Sequence, residues 1–324
     1  MVASIGKSVA IFLDGVPISV PTVNEEITGG KKIGSLLEHY PNKIEDAKII
    51  FRYSKLDQIL GVKIHREKIK EILKSLEIKA VNDIADIKTM SHLLKYDSIH
   101  GVLQHSISTE NETLLIDDFK FQFFHESDIS KLPWKNLDID FVIESTGKFK
   151  TSETAGLHIL AGVKKVILSA PPEDEKIKTV VLGVNEHILD GSETIISNAS
   201  CTTNNAAPML KIIQKLCGIE QAYITTVHSY TTDQSLHDQP HKDLRRARGA
   251  SQSIIPTSTG AAKAITKIFP ELDGKIGGCG IRVPVADGSL TDITFNVSRK
   301  VTIEEINLAF KKNAETNLKG ILDY

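Results

Sequence analysis

Five short apolar runs, rich in β-branched residues, alternate with charged helix-patterned stretches through the middle of the chain, and no other feature constrains the fold as much. They are "EIKAVND" (77–83), "DFVIEST" (140–146), "KKVILSA" (164–170), "KTVVLGV" (178–184) and "ETIISNA" (193–199). Short runs of this kind separated by helix-length segments mark βαβ units and a mostly parallel sheet. Ahead of the first run, Ile69, Ile72, Leu73 and Leu76 recur at helical spacing in "REKIKEILKSL" (66–76), which predicts a helix leading into a strand. From about residue 219 the texture changes to longer runs such as "QAYITTVHSY" and "DGSLTDITFNVS", with helical "TGAAKAITKIF" and "TIEEINLAFKKNAETNL" between and after them. That mixture predicts an α+β second domain, with the boundary near Cys201.

At 324 residues the chain exceeds the ~250 at which a single core stops growing, so two folding units are expected. A formal net charge of −2 gives no whole-chain attraction to nucleic acid or to an anionic membrane, and neither is expected as a partner. The three cysteines, Cys201, Cys217 and Cys279, form no C-x-x-C pair, which argues against a disulfide framework and a cysteine zinc site and fits a reducing cytoplasm. No apolar run reaches the roughly 18 residues that span a bilayer, and "SVAIFL" is too short for a secretory signal, so no targeting segment is expected. Residues 1–45 stand apart, with Gly-rich turns at "LDGVP" and "ITGGKK" and a Pro-containing strand pattern. Residues 9–30 resemble a segment of the protein-export subunit SecD, consistent with a foreign segment joined to the chain.

"SNASCTTNN" (197–205) places Cys201 just before a stretch that can form a helix, with Pro208 tolerated early and Gly218 as its stop. A cysteine at a helix start faces unpaired N–H groups and the positive end of the helix dipole. Both favour a thiolate, and the same N–H groups can stabilise an oxyanion formed when sulfur attacks a carbonyl. The thiol needs a base, and "TTVHSY" supplies His228 at the end of a predicted strand. Taken alone, each residue also has an ordinary reading, as a small buried thiol and as a surface or satisfied core imidazole.

The longer strings decide between these readings. "SNASCTTNN", "TTVHSYTTDQ", "PHKDLRRARGASQSIIPTSTGAAKA" and "IRVPVADGSLTDITFNV" closely resemble, in order and spacing, the catalytic half of phosphorylating glyceraldehyde-3-phosphate dehydrogenase. "VNDIADIKTMSHLLKYDSIHG", "VIESTGKF" and "KKVILSAPPEDE" resemble the nucleotide-binding half of the same family, and the resemblance runs from about residue 63 to residue 324. It implies an α/β architecture: a Rossmann-like dinucleotide-binding domain over 46–200 and an α+β catalytic domain with a mixed or antiparallel sheet over 201–324. It also implies NAD as cofactor, glyceraldehyde 3-phosphate and inorganic phosphate as substrates, a cytoplasmic place in glycolysis, no metal, and a homotetramer with "HDQPHKD" near a neighbour's cofactor site. Cys201 would attack the aldehyde and His228 would move the protons, giving a thioester that phosphate cleaves. Thr231, Asp233 and Arg282 match positions around the substrate phosphate, the aspartate orienting an arginine. Ser200, Thr202, Arg248, Thr259 and Gly260 match positions around the attacking phosphate, while Arg245 and Arg246 read as structural or surface residues. On the nucleotide side Asp83 would accept from the adenosine ribose and disfavour a 2′-phosphate, with Ser145, Thr146, Gly147, Ser169 and Ala170 at the carboxyl ends of later strands and Asn185 structural.

Two departures qualify this expectation. The family's G-x-G-x-x-G loop lets the pyrophosphate approach backbone N–H groups, but "LGVKIHRE" (60–67) puts Leu60, Val62 and His65 where the glycines belong. The chain stops at "LKGILDY", before the family's further sheet strands, the asparagine that holds the nicotinamide carboxamide and the terminal helix. Asn205, where many members carry a second cysteine, and Ser127, near an adenine-side arginine, are smaller changes. The alternatives are a catalytically impaired, truncated or fused relative and erythrose-4-phosphate dehydrogenase, although "PTSTGAAKA" favours the triose enzyme. A cysteine–histidine protease leaves Asp83 and the sheet-edge motifs unexplained.

Overall fold

The computed structural model describes three backbone strands within residues 2–19 and all of residues 78–324. The chain divides into compact units of residues 1–64 and 65–324. In the first, β1 (Val2–Ile5), β2 (Ser8–Leu13) and β3 (Val16–Ser19) form an antiparallel sheet in that order. The helix expected over 66–76, a first strand in "DAKIIFRY" (46–53) and the altered loop with Leu60, Val62 and His65 lie outside the described residues.

In the second unit the first expected run forms β4 (Ala80–Asn82). Asp86 then starts α1 (Ile87–Lys95) by accepting the Thr89 N–H, filling one of the vacant donors of the first turn. A two-strand ribbon follows, β5 (Tyr96–Asp97) with β6 (Gly101–Val102). The next strands, β7 (Ile107–Glu110), β8 (Thr113–Ile116) and β9 (Phe119–Phe124), form an antiparallel meander, and β9 pairs in parallel with β4. Asn111 and Asp117 take positive φ at its two tight turns, a conformation their short polar side chains tolerate.

A four-stranded parallel sheet comes next, built from β10 (Phe141–Glu144), β11 (Lys165–Leu168), β12 (Lys178–Thr179) and β13 (Ile195–Ser197) in the order β10-β11-β13-β12. The crossover from β10 to β11 is α2 (Ser152–Leu160), opened by a capping box between Thr151 and Thr154. Trp134, Ala155, Val163, Val166 and Leu168 bury the helix against the sheet. "KTVVLGV" reads as a full strand in sequence, but only Lys178 and Thr179 pair. Asn185 is the cause: its side chain accepts the Val181 N–H and donates to the Thr179 carbonyl, closing a turn whose Val181 and Val184 still face the core.

The last part of the chain builds a mixed sheet under helices. Its elements are α3 (Cys201–Cys217), β14 (Ile219–Ser229), β15 (Ile255–Thr257), α4 (Ala261–Ile268), β16 (Ile276–Val283), β17 (Ser289–Val297) and α5 (Ile303–Glu315). The strand order is β15-β16-β14-β17, with β14 and β16 parallel and the outer pairs antiparallel. Leu210 and Ile213 of α3, Ile224 of β14, Ile265 of α4 and Leu272 are buried together, each worth about 1.5–3 kcal/mol of transfer free energy. Gly218 stops α3 at φ 70°, as expected, but the helix runs through Pro208, which lies beyond the first turn and removes one interior N–H.

Candidate active site

Cys201 is the first residue of α3 and is exposed. Ser200 caps the helix, its Oγ accepting the Thr203 N–H at 3.1 Å, so the thiol stands at the positive end of a 17-residue dipole. His228, next to last in β14, places Nε2 3.3 Å from Cys201 Sγ. The other ring nitrogen, Nδ1, lies 2.7 Å from the Ser229 carbonyl. An N–H on Nδ1 would satisfy that carbonyl and leave Nε2 as an acceptor facing the thiol, the form a general base needs.

The parallel register of β14 with β16 sets His228 beside Arg282. Arg282 Nη1 donates to the Ser229 carbonyl at 3.0 Å and lies 2.5 Å from His228 Nδ1; the guanidinium, a donor only, calls for a bare Nδ1 and the carbonyl for a protonated one, and the second form is the one that leaves Nε2 free to accept. Burial, together with the neighbouring Arg246 guanidinium, pulls the Arg282 pKa below its ordinary value, while Asp233 and Cys201 oppose the shift. Two guanidiniums that repel each other beside a thiol, with one carboxylate between them, form a net cationic pocket suited to an anion.

Asp233 is the hub of that pocket. Arg246 Nη1 donates to its Oδ2 at 2.5 Å, His241 Nε2 lies 3.3 Å from its Oδ1, and Gln234 donates to it at 3.3 Å. Burial works to raise the Asp233 pKa, but the bonds from Arg246 and His241 outweigh it and hold the carboxyl below its ordinary value. Arg246 also donates through Nε to Thr257 Oγ1 at 2.7 Å. Buried Gln234 ties Thr231 to the hub by accepting its N–H at 2.8 Å and its hydroxyl at 3.3 Å. Thr202 is buried as the second residue of α3, while Thr259 and Gly260 lie at the start of α4, where Thr259 Oγ1 accepts the Ala261 N–H.

The expected arginine is not drawn into this cluster. Arg248 pairs with Asp238 at 2.5 Å in solvent, and its neighbour Gly249 donates to the same carboxylate. The reason is the 3-10 turn over Leu244–Arg246, which sends Arg245 back onto Asp243 and Arg246 inward to Asp233 and Thr257. Arg246, read from sequence as structural or surface, is the arginine that joins Asp233, and Gln234 and His241 carried no sequence signal of their own beyond lying near Thr231.

On the nucleotide side, β10 and β11 lie side by side and bring Ser145, Thr146 and Gly147 next to Ser169, whose N–H donates to the Glu144 carbonyl. Ser145, Thr146, Gly147 and Ser169 are exposed, and Ala170 accepts the Ser197 hydroxyl. Gly147 has φ +70° with nothing within 4 Å of where a Cβ would stand, so bare backbone faces open space. Asp83 directly follows β4 in the other sheet, with Oδ1 accepting the Ala85 N–H, while Asn82 clamps both backbone groups of Glu126. An open glycine loop beside hydroxyls, with a carboxylate at a strand end, suits a ribose-bearing dinucleotide. Among the described residues no group of His, Cys, Asp or Glu could hold a metal ion.

Two family models match the chain: the NAD binding domain of glyceraldehyde 3-phosphate dehydrogenase over residues 60–152 and its C-terminal domain over residues 200–324. Glyceraldehyde-3-phosphate dehydrogenase 1 of Bacillus cereus is 47% identical over 250 residues, covering 77% of this chain and 75% of the relative. The Mycobacterium avium enzyme is 51% identical over 251 residues, 77% of this chain and 74% of its own length. Glyceraldehyde-3-phosphate dehydrogenase 2 of Streptomyces avermitilis is 50% identical over 250 residues, with the same two coverages.

Proposed function

Since this chain belongs to the glyceraldehyde 3-phosphate dehydrogenase family, we propose that Cys201 and His228 oxidise glyceraldehyde 3-phosphate, with NAD and inorganic phosphate, to 1,3-bisphosphoglycerate. The observation that carries this reading is the 3.3 Å contact between Cys201 Sγ and His228 Nε2 beside the Arg282 and Arg246 guanidiniums. The Cys201 thiol gives its proton to Nε2 as sulfur bonds to the aldehyde carbon, and Nε2 passes that proton to the new alkoxide, forming a hemithioacetal. NAD, when bound, supplies the hydride acceptor. His228 takes the hydroxyl proton back as the carbon is oxidised, which leaves a thioester on Cys201. Phosphate then attacks the thioester carbon, the carbon–sulfur bond breaks, and the thiolate returns.

Arg282 and Thr231 hold the substrate phosphate in this reading, and Arg246, oriented by Asp233, replaces Arg248 as the arginine for the attacking phosphate. Thr202, Thr259, Gly260 and the Ser200 cap complete the anion sites. Asp83, Ser145, Thr146, Gly147, Ser169 and Ala170 hold the cofactor within residues 46–200, and the catalytic half begins at Cys201. The chain assembles as a homotetramer in the cytoplasm. Exposed Leu236 and Leu244, flanking "HDQPHKD", support the assembly, and the three free cysteines support the compartment. Among the described residues no helix is long and apolar enough to cross a membrane. The experiment is absorbance of NADH formed from glyceraldehyde 3-phosphate, NAD and phosphate. Phosphate-dependent turnover is expected, and a folded preparation without turnover rejects the proposal.

A further inference from the structure

A buried hydrogen-bonded chain that takes no part in the chemistry above ends on the nucleotide-side loop. Trp134 Nε1 donates to His158 Nδ1 at 3.1 Å, and His158 Nε2 lies 3.1 Å from Glu144 Oε2. The other carboxylate oxygen, Oε1, accepts the Thr146 N–H at 2.7 Å and also the Thr146 hydroxyl. Indole nitrogen only donates, and this fixes the direction of the whole chain. Nδ1 is the acceptor, the imidazole proton sits on Nε2, and Glu144 is an ionised carboxylate accepting from both sides. The Glu144 and His158 side chains are only 5% and 4% exposed, and His158 is boxed in by Phe149 and Trp134, so neither can relax toward water. Thr146 Oγ1 in turn accepts the Lys148 N–H at 3.2 Å, which draws the chain tight around Gly147 at φ +70°.

From this geometry we infer that Glu144 is a positioning residue: it holds Ser145, Thr146, Gly147 and Lys148 in the one loop conformation that receives the cofactor. The inference rests on the proposed cofactor side of the site. Thr146 cannot turn its hydroxyl or its N–H away while the carboxylate accepts both, and the carboxylate cannot turn while His158, pinned by Trp134, donates to its far oxygen. E144Q keeps size and burial but places an NH2 group against the His158 N–H, or against both Thr146 donors if the amide is flipped.

The test joins amide hydrogen exchange to calorimetric NAD binding. In E144Q the amides of residues 145–148 exchange at least about tenfold faster than in wild type while those of α3 do not change, NAD binds at least about tenfold more weakly, and alkylation of Cys201 stays within about twofold. Trp134 is the only tryptophan, so its near-ultraviolet circular dichroism reports directly whether the core around His158 is folded. If E144Q does not fold, T146V decides. It leaves the Trp134, His158 and Glu144 contacts in place and removes one of the two loop tethers, and it is expected to speed exchange of the 145–148 amides about threefold or more, the readout that decides because Thr146 itself stands at the proposed cofactor site. Unchanged loop exchange and NAD affinity in folded E144Q, or unchanged loop exchange in T146V where E144Q fails, overturns the inference. Wild type that binds no NAD defeats the cofactor reading alone, because loop exchange in the variants still decides the role of Glu144.

Discussion

Cys201 and His228 share one hydrogen-bonding contact, and their separate contributions follow from it. C201S removes the sulfur that carries the thioester, and turnover is expected to vanish. H228N removes the base, which in acid–base catalysis is worth ~10²–10⁴ in rate, so kcat falls by that range with substrate KM little changed, as steady-state kinetics will read. The two arginines of "RRAR" separate more sharply. R246A takes a charge-assisted pair from Asp233 and a donor from Thr257, a loss of about 1.5–3 kcal/mol, and phosphate KM rises about tenfold to a hundredfold. R248A breaks only a solvent-exposed pair with Asp238, and phosphate KM stays within about twofold. These residues also mark the limit of sequence reading. Cys201 and His228 were legible because a helix start and a strand end are local patterns and the long motif strings around them settled what those patterns alone left open. Arg246, read as structural or surface, is the one that reaches Asp233, and Arg248, read as part of the anion site, pairs with Asp238 in solvent, because residues two apart in one basic run differ only in which way a 3-10 turn sends them.

At the scale of elements, α3 gives the thiol its place. Its cap is a single hydroxyl: S200A leaves the N–H of fully buried Thr203 without its acceptor and is expected to lower stability by ~1 kcal/mol, visible as a lower urea midpoint at constant m. The helix was legible from its small polar start and its Gly218 stop, with Pro208 read as tolerated early; Pro208 lies beyond the first turn, where burial of Ala206, Ala207, Leu210 and Ile213 outweighs one missing N–H. "KTVVLGV" shows the opposite case. Its β-branched content predicts a strand, and the Asn185 side chain diverts it into a turn. The meander over residues 107–124 went unread among the parallel runs. Its turns depend on Asn111 and Asp117 at positive φ rather than on glycine.

Across the whole molecule, acid stability depends on the carboxylates that the fold holds ionised. Burial pushes Glu144 upward from its ordinary 4.5, but the bonds from His158 and Thr146 more than reverse this, and its folded value lies below 4.5. The stability it contributes is therefore complete above pH 4.5 and is lost as pH falls through the folded value. Asp243, held at about 2 by Arg245, and Glu193, held at about 2 by Lys178, act in the same direction. Urea unfolding followed from pH 7 downward is expected to show stability falling below about pH 4.5 in wild type and falling less steeply in E144Q, which has no carboxylate to protonate at that position. The sequence by itself determined the βαβ alternation, the thiol at a helix start, the imidazole at a strand end and the family, because side chains a few residues apart and motif strings encode them. Only the tertiary structure decided that His228 lies beside Arg282, 54 residues away, that Asp233 takes Arg246 and not Arg248, and that Trp134 and His158 aim Glu144 at the Thr146 loop. Those partners are set by strand register and by burial, and both arise when distant segments pack together.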